Sequence, residues 1–310
     1  MTLKLGLHIG PQDISMDDLK RLWLRADEGG LHWVSVWDHF YANPLKSREN
    51  PCFEGIAAMA ALAAMTRHVR VGCLVFCALF RSPGLLAKAA ATIDHISNGR
   101  LELGIGAGWF KEEFEEFGYA FPPLPERMDQ LEEALQIVRG LFHEPSVTFQ
   151  GKYYRLEGAV CAPKPVQRPP RIWVGGQGGR RTPRMAARYG DGFNVPYLSP
   201  EQVRARNQRV DEEAERLGRD PAAIVRSANL GFFMGADARS AERNTARMRQ
   251  LGHSAMGEEG NVFGTPQQVI DRIAQYEQAG VQGVNIAIRP PVDWDAFEAY
   301  IEQVLPAFKG

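Results

Sequence analysis

The chain has 310 residues, of which 45% are apolar and 24% charged, with a formal net charge of −1. That composition supports a sizeable core and gives neither nucleic acid nor an acidic membrane a basic surface, so the expected ligand is small. Four cysteines, with no C-x-x-C and no H-E-x-x-H, argue against a disulfide framework and against a zinc site.

In chain order, strand and helix signals alternate. Leu3–Ile9 reads as a strand, and Ser15 caps an amphipathic helix that runs to Glu28 and closes on Gly29-Gly30. Trp33–Trp37 is the second strand, and Glu54–Met65 an alanine-rich helix. Val69–Phe76 is the third strand, followed by a helix over Pro83–Ile96 with proline in its first turn. On that third strand Cys73 and Cys77 would stand ~13 Å apart, too far to bridge. Arg100–Gly106 is the fourth strand, and Glu126–His143 a long helix. Arg171–Val174, Gly192–Val195, Ser227–Met234 and Val284–Ile288 supply the later strands; Thr182–Tyr189, Pro200–Leu217, Thr265–Gln278 and Asp295–Val304 supply their helices.

Eight β/α pairs in strict alternation imply parallel strands with crossover helices. With no second glycine-rich nucleotide half, the expected α/β fold is a single (β/α)8 TIM barrel over residues 1–310. Two insertions exceed the minimal barrel. Residues 109–170, after the fourth strand, carry a hairpin pattern from Val147 to Leu156 and a proline-rich run, and the charged helix Ser240–Leu251 precedes the seventh helix. Such segments build lids and pockets, or decorate the surface. Met1–Gly10 lacks a charged start followed by a long apolar run, and Ile56–Met65 is half the ~20 residues of a membrane span. A reducing cytoplasm is therefore expected.

Barrel enzymes place their chemistry at the C-terminal ends of strands. Asp38-His39, Cys77–Arg81, Gly106-Ala107-Gly108-Trp109 and Gly175-Gly176-Gln177-Gly178-Gly179 fall there. Gly104, Gly106 and Gly108 share one side of an extended chain, which a flat ring could approach or a neighbour could fill. The glycines at 175–179 can curl their amides into an anion nest before a helix N-terminus, with Arg180 and Arg181 adjacent, or form a flexible turn. His39 can exchange protons near neutral pH or anchor its loop.

The blocks Ser35-Val36-Trp37-Asp38-His39-Phe40, Val71–Val75, Arg81-Ser82-Pro83, Gly99–Trp109, Ile172–Gly176, Ala187–Phe193, Gly264–Val269 and Ala279-Gly280-Val281 together resemble the luciferase-like monooxygenase superfamily, and within it the coenzyme F420 (deazaflavin) branch. The resemblance implies an oxidoreductase that moves a hydride between the deazaflavin and a small organic substrate. It implies that Asp38 contacts the cofactor and that His39 lies beside the reacting carbon. Leu74 and Val75, joined by a cis peptide, would back the ring. Cys77, Ala107 and Gly108 would line the cofactor, and Gly175, Gly176, Gln177, Gly178 and Gly179 would hold its phosphate. Trp109 stands in the substrate pocket where sugar-phosphate dehydrogenases of the branch carry a glutamate, and Pro196 and Ser199 replace their threonine and lysine. A substrate other than glucose 6-phosphate follows. An FMN-dependent monooxygenase and an inert ligand-binding barrel are the alternatives; Asp38-His39 favours the deazaflavin. Direction of transfer and subunit number, a homodimer included, stay open.

Overall fold

The computed structural model describes residues 2–43, 47–250 and 258–309. In chain order its strands and α-helices are β1 (Lys4–Ile9), α1 (Met16–Glu28), β2 (Trp33–Val36), α2 (Gly55–Met65), β3 (Arg70–Cys77), α3 (Pro83–Ile96), β4 (Leu101–Gly106), α4 (Lys111–Glu116), α5 (Leu124–His143), β5 (Val147–Gln150), β6 (Arg155–Ala159), β7 (Arg171–Gly175), α6 (Arg181–Tyr189), β8 (Gly192–Pro196), α7 (Pro200–Arg216), β9 (Val225–Met234), α8 (Ala238–Gln250), β10 (Asn261–Gly264), α9 (Pro266–Gln278), β11 (Gly283–Ile288) and α10 (Trp294–Ala299). Eight strands close in parallel in the order β1-β2-β3-β4-β7-β8-β9-β11 and back to β1. The expected (β/α)8 barrel is the observed fold.

Helix starts follow capping chemistry. Ser15 Oγ accepts from the Asp18 amide, Glu54 caps α2 through the amides of Ile56 and Ala57, and Ser199 forms a reciprocal box with Gln202. Two elements have no counterpart in the sequence reading. The six-residue α4 has only one and a half turns from which to read a period. The four-residue β10 pairs with Gly231–Met234 of β9, beyond the Val225–Asn229 stretch that β8 occupies. The charged helix is observed as α8; Leu251, its expected last residue, lies outside the described residues. Among the described residues no helix is long and apolar enough to cross a membrane.

The barrel interior is filled in layers. Toward its N-terminal end, the rings of Trp33 and Trp173 meet at 4.9 Å and pack with Leu74. They fit because Gly72 and Gly192 stand against them: a Cβ there would lie 2.8 Å from Trp33 Cε2 and 2.7 Å from Trp173 Cε2. Glu102, buried in the same layer, accepts from Trp173 Nε1 at 2.5 Å and pairs with Arg70 and Arg171. Above it Asn194 donates to Ser227 Oγ and Asn229 Oδ1, and Asn285 donates to the same Asn229 oxygen at 3.1 Å. A buried amide layer of this kind is tolerated because its polar atoms are paired.

The peptide bond between Leu74 and Val75 is cis, as expected, and the β3–β4 register shifts between Cys73 and Phe76. Val75 thereby lies against three glycines. A Cβ on Gly106 or Gly175 would stand 2.5 Å from a Val75 methyl, and one on Gly104 3.0 Å from the other strand's Val75 Cγ1. Of the two readings of the glycine row, the packing one describes Gly104 and Gly106. Gly104→Ala would also drive its methyl into the Cys73 carbonyl oxygen, and overpacking against backbone costs ~1–3 kcal/mol or more. Its urea midpoint should fall accordingly. Gly84→Ala, on the surface of α3 with only Ser82 Oγ within reach at 3.6 Å, should instead hold or gain up to ~1 kcal/mol. Equal midpoints for the two variants would reject the packed notch.

Candidate active site at the barrel mouth

The strand alternation that builds the lower layers also sets the top one. β1 pairs Gly6 and His8 with Trp33 and Ser35 of β2 and with Asn285 and Ala287 of β11. Two residues further on, the same inward rows reach Gly10, Trp37 and Arg289. A Cβ on Gly10 would fall inside the Trp37 indole, so this glycine is what admits the ring. The Arg289 guanidinium lies 5.5 Å from that ring's centroid, and its Nη1 donates to the Asn43 carbonyl at 2.6 Å. His8 faces Trp37 at 5.1 Å, with Nδ1 2.9 Å from Ser35 Oγ.

His39 follows β2 at this end. Its Nδ1 stands 2.9 Å from Oε2 of Glu113, a residue 1% exposed. Glu113 Oε1 accepts from the amides of Phe40 at 2.8 Å and Tyr41 at 3.0 Å. A carboxylate ringed by donors can only accept, which assigns the imidazole proton to Nδ1 and leaves Nε2 without a partner among the described residues. Around His39 stand Trp109 at 5.6 Å, Phe110 at 6.0 Å and Trp37 at 6.5 Å between ring centroids. Glu113 is held inward by its neighbour on α4. Phe114 is fully buried between Phe80, at 4.7 Å, and Phe121, at 5.0 Å.

Asp38 occupies a different position from its neighbour. Oδ2 accepts from the Cys77 amide at 2.8 Å and Arg81 Nη1 at 2.7 Å, and Oδ1 from Arg81 Nη2 at 2.8 Å. Its side chain is 1% exposed, so the carboxylate is turned into protein, where it ties the end of β2 to the end of β3. The Cys77 thiol is buried, which pushes it up to about 12 and keeps it protonated. Gly108, at φ +72°, sits against Cys77 Sγ and the Phe114 ring; Ala107 is half-buried beside it and Trp109 is 62% exposed.

The 175–179 glycines lie between β7 and α6. Gly176 adopts φ +145°, and its amide donates to the Asn194 carbonyl at 3.1 Å, which removes it from any anion site. Gln177 and Gly178 are exposed at the edge of the mouth, with Gly179 half-buried beside them. Arg181 turns away to Asp129 at 2.5 Å. Arg206 of α7 takes its place: Nε donates to the Gln177 carbonyl, and the guanidinium lies 3.6 Å from where a Gly179 Cβ would be. Arg180 remains exposed at the start of α6.

The strands thus bring Val75, Gly106, Gly175, His39, Trp109 and Trp37 to one mouth, with the glycine loop at its edge. Glu113, Arg206 and Arg289 were not singled out from sequence; Arg81 was, as the last residue of the group after the third strand, without its partner Asp38. A glutamate three residues after an aromatic pair, on a helix too short to show a period, carries no local signal. Arg289 could have been found, since it follows a strand end by the rule that selected His39.

A family described as "Luciferase-like monooxygenase" matches residues 3–258. An F420-dependent glucose-6-phosphate dehydrogenase of Amycolatopsis mediterranei is 34% identical over 192 residues, 62% of this chain and 56% of its own length. The chain therefore spans little over half of that relative. An FMNH(2)-dependent dimethylsulfone monooxygenase of Pseudomonas fluorescens is 29% identical over 301 residues, 87% of this chain and 81% of its own. Among solved structures, an F420-dependent secondary alcohol dehydrogenase in complex with an F420-acetone adduct superposes with a TM-score of 0.86 at 22% identity, covering 100% of both chains.

Two tests follow from the geometry. Glu113→Ala leaves the His39 Nδ1 proton and two buried amides unpaired, so urea unfolding should show a loss of about 3 kcal/mol. A loss below ~1 kcal/mol would mean that water replaces the carboxylate freely. Burial, with Arg289 and His39 nearby, holds His8 down to about 3 from the ordinary 6.5. The unfolded chain therefore binds a proton that the folded one refuses, and stability should fall as pH drops from about 6.5 to about 3. His8→Gln should flatten that limb; superimposable pH–stability curves would show that His8 titrates normally in the fold.

Proposed function

The chain belongs to the luciferase-like monooxygenase family, and we propose that it is an oxidoreductase moving a hydride between coenzyme F420 and a small organic substrate. The observation that carries this reading is the mouth itself: a histidine with a fixed tautomer and an Nε2 that has no partner among the described residues, beside a floor made by one valine set among glycines. Val75, half-buried and flanked by Gly106 and Gly175, offers a flat apolar surface on which a planar ring fits. The amides of Gln177, Gly178 and Gly179, with Arg206 and Arg180, form an electropositive edge suited to a phosphate. These residues fit a deazaflavin nucleotide, and Leu74, Cys77, Ala107 and Gly108 complete the strand ends around it. Gly176 contributes conformation and no donor.

When bound, the deazaflavin supplies or accepts the hydride. The protein's own share is orientation, water exclusion and proton handling. His39 gives or takes a proton at Nε2 while Glu113 balances the charge that appears on the ring. Asp38 acts through Arg81 and the Cys77 amide to fix the spacing of two strand ends. Trp109 and the remainder of 109–170 serve as the lid over the substrate side. Trp109, an indole with no acid function, stands where a sugar-phosphate enzyme would need its proton acceptor, which supports a substrate other than glucose 6-phosphate. The four cysteines are free, in keeping with a reducing cytoplasm.

The FMN reading is supported by the dimethylsulfone monooxygenase relative; Asp38-His39 supports the deazaflavin. A fluorescence titration of the purified protein decides between them. Coenzyme F420 should bind at least about tenfold more tightly than FMN, a difference of ~1.4 kcal/mol. Equal or tighter FMN binding would transfer the assignment to the flavin monooxygenases.

A further inference from the structure

Arg289 is the one strand-end cation at the mouth that the reading above leaves unused. It continues the inward row Asn285–Ala287 of β11. Below it is the methyl of Ala287; beside it, the place of a Gly10 side chain is taken by the Trp37 indole, whose ring centroid lies 5.5 Å from the guanidinium. Only one of its donors is engaged, Nη1 with the Asn43 carbonyl. Among the described residues no carboxylate comes within ion-pair distance of it. By sequence, none of the residues outside that set carries an acidic side chain. Asp13, on the loop after β1, is engaged with Gln12 and Asn50 instead.

A half-buried guanidinium without a counter-charge is costly to hold in a dry mouth and is relieved by an anion. The same layer holds a second unsatisfied donor, the buried Trp37 Nε1. His8, which Arg289 helps to keep neutral, adds an unpartnered Nε2 and no charge of its own. The need is thus for one negative charge with more than one acceptor oxygen. A carboxylate has both, and matches the planar fork of an arginine in two parallel hydrogen bonds. Phosphate, with nearly two charges, is better matched to the separate edge formed by residues 177–179, Arg180 and Arg206.

We propose that Arg289 is a specificity residue that receives a carboxylate group of the substrate, so that the enzyme acts on small organic acids. This rests on the reading of the mouth as the substrate site. Its purely structural alternative is that Arg289 only pins the Asn43 loop. That loop is already held by Gln12, which accepts from the Asn43 amide at 3.0 Å and side chain at 3.1 Å and donates to its carbonyl at 2.9 Å. Removing Arg289 should therefore leave the loop in place.

The test uses benzoate and its uncharged isostere benzamide as probes, titrated calorimetrically into wild type, Arg289→Gln and Arg289→Lys. Benzoate should bind wild type at least about tenfold more tightly than benzamide. That preference should fall below about threefold in Arg289→Gln and be partly kept in Arg289→Lys. Affinity for coenzyme F420 should stay within about threefold in all three proteins. No benzoate preference in wild type, or one that survives Arg289→Gln, overturns the proposal. So does an Arg289→Gln protein that loses coenzyme F420 and keeps benzoate, because the arginine would then serve the cofactor's anionic tail. If wild type binds benzoate as expected but not coenzyme F420, the deazaflavin assignment fails and the carboxylate site stands.

Discussion

Everything at the mouth depends on one constraint: eight parallel strands closed on an axis send every second residue into a space of fixed volume. Large and small residues must then complement one another across the axis. Trp33 and Trp173 take the lower layer because Gly72 and Gly192 yield it to them. Four polar side chains fill the middle and satisfy one another. Above, Gly10 admits the Trp37 ring, and Gly106 and Gly175 admit Val75, whose half-buried side chain is the floor of the mouth. The barrel is closed below and open above because of the order of residue sizes along its inward rows, and no loop is needed to explain that polarity.

Much of this architecture was legible from sequence. The eight barrel strands and the helices between them follow from two alternating periods and from start signals such as Ser15 and Pro83. The parity of Gly104 and Gly106 marked a face without side chains, but parity does not say what fills it. Val75 fills it, and Val75 arrives there through a register shift in β3 that no pattern of residue types announces. Asp38 and His39 were read as a pair because they are adjacent. Successive side chains at a strand end point apart, and the two were sent to different partners, Arg81 and Glu113. The second partner is 74 residues away. A contact of that span is decided by packing, here the burial of Phe114, and not by anything local. The same holds for the exchange of Arg181 for Arg206 at the glycine loop: i and i+1 on a helix face different ways, and α6 turned Arg181 toward Asp129 on α5.

The site divides its charges by task. Its two most buried carboxylates, Asp38 and Glu113, each spend both oxygens on protein donors, so both act on geometry and on the charge state of what they hold. The groups left facing ligand are donors or can become so: His39 Nε2, His8 Nε2, the Arg289 fork and the loop amides with Arg206. A mouth organised in this way disfavours cations and accommodates electron-rich groups, and it does so before any substrate is named. Charge that a hydride places on a bound ring or a substrate oxygen would be met by donors already fixed in place, which is where preorganisation lowers a barrier. Proton exchange is the one task that fixed donors cannot perform. Of the groups at the mouth, burial holds His8 neutral. In the function proposed above that task falls to His39, whose Nδ1 is held by Glu113 through a 2.9 Å hydrogen bond.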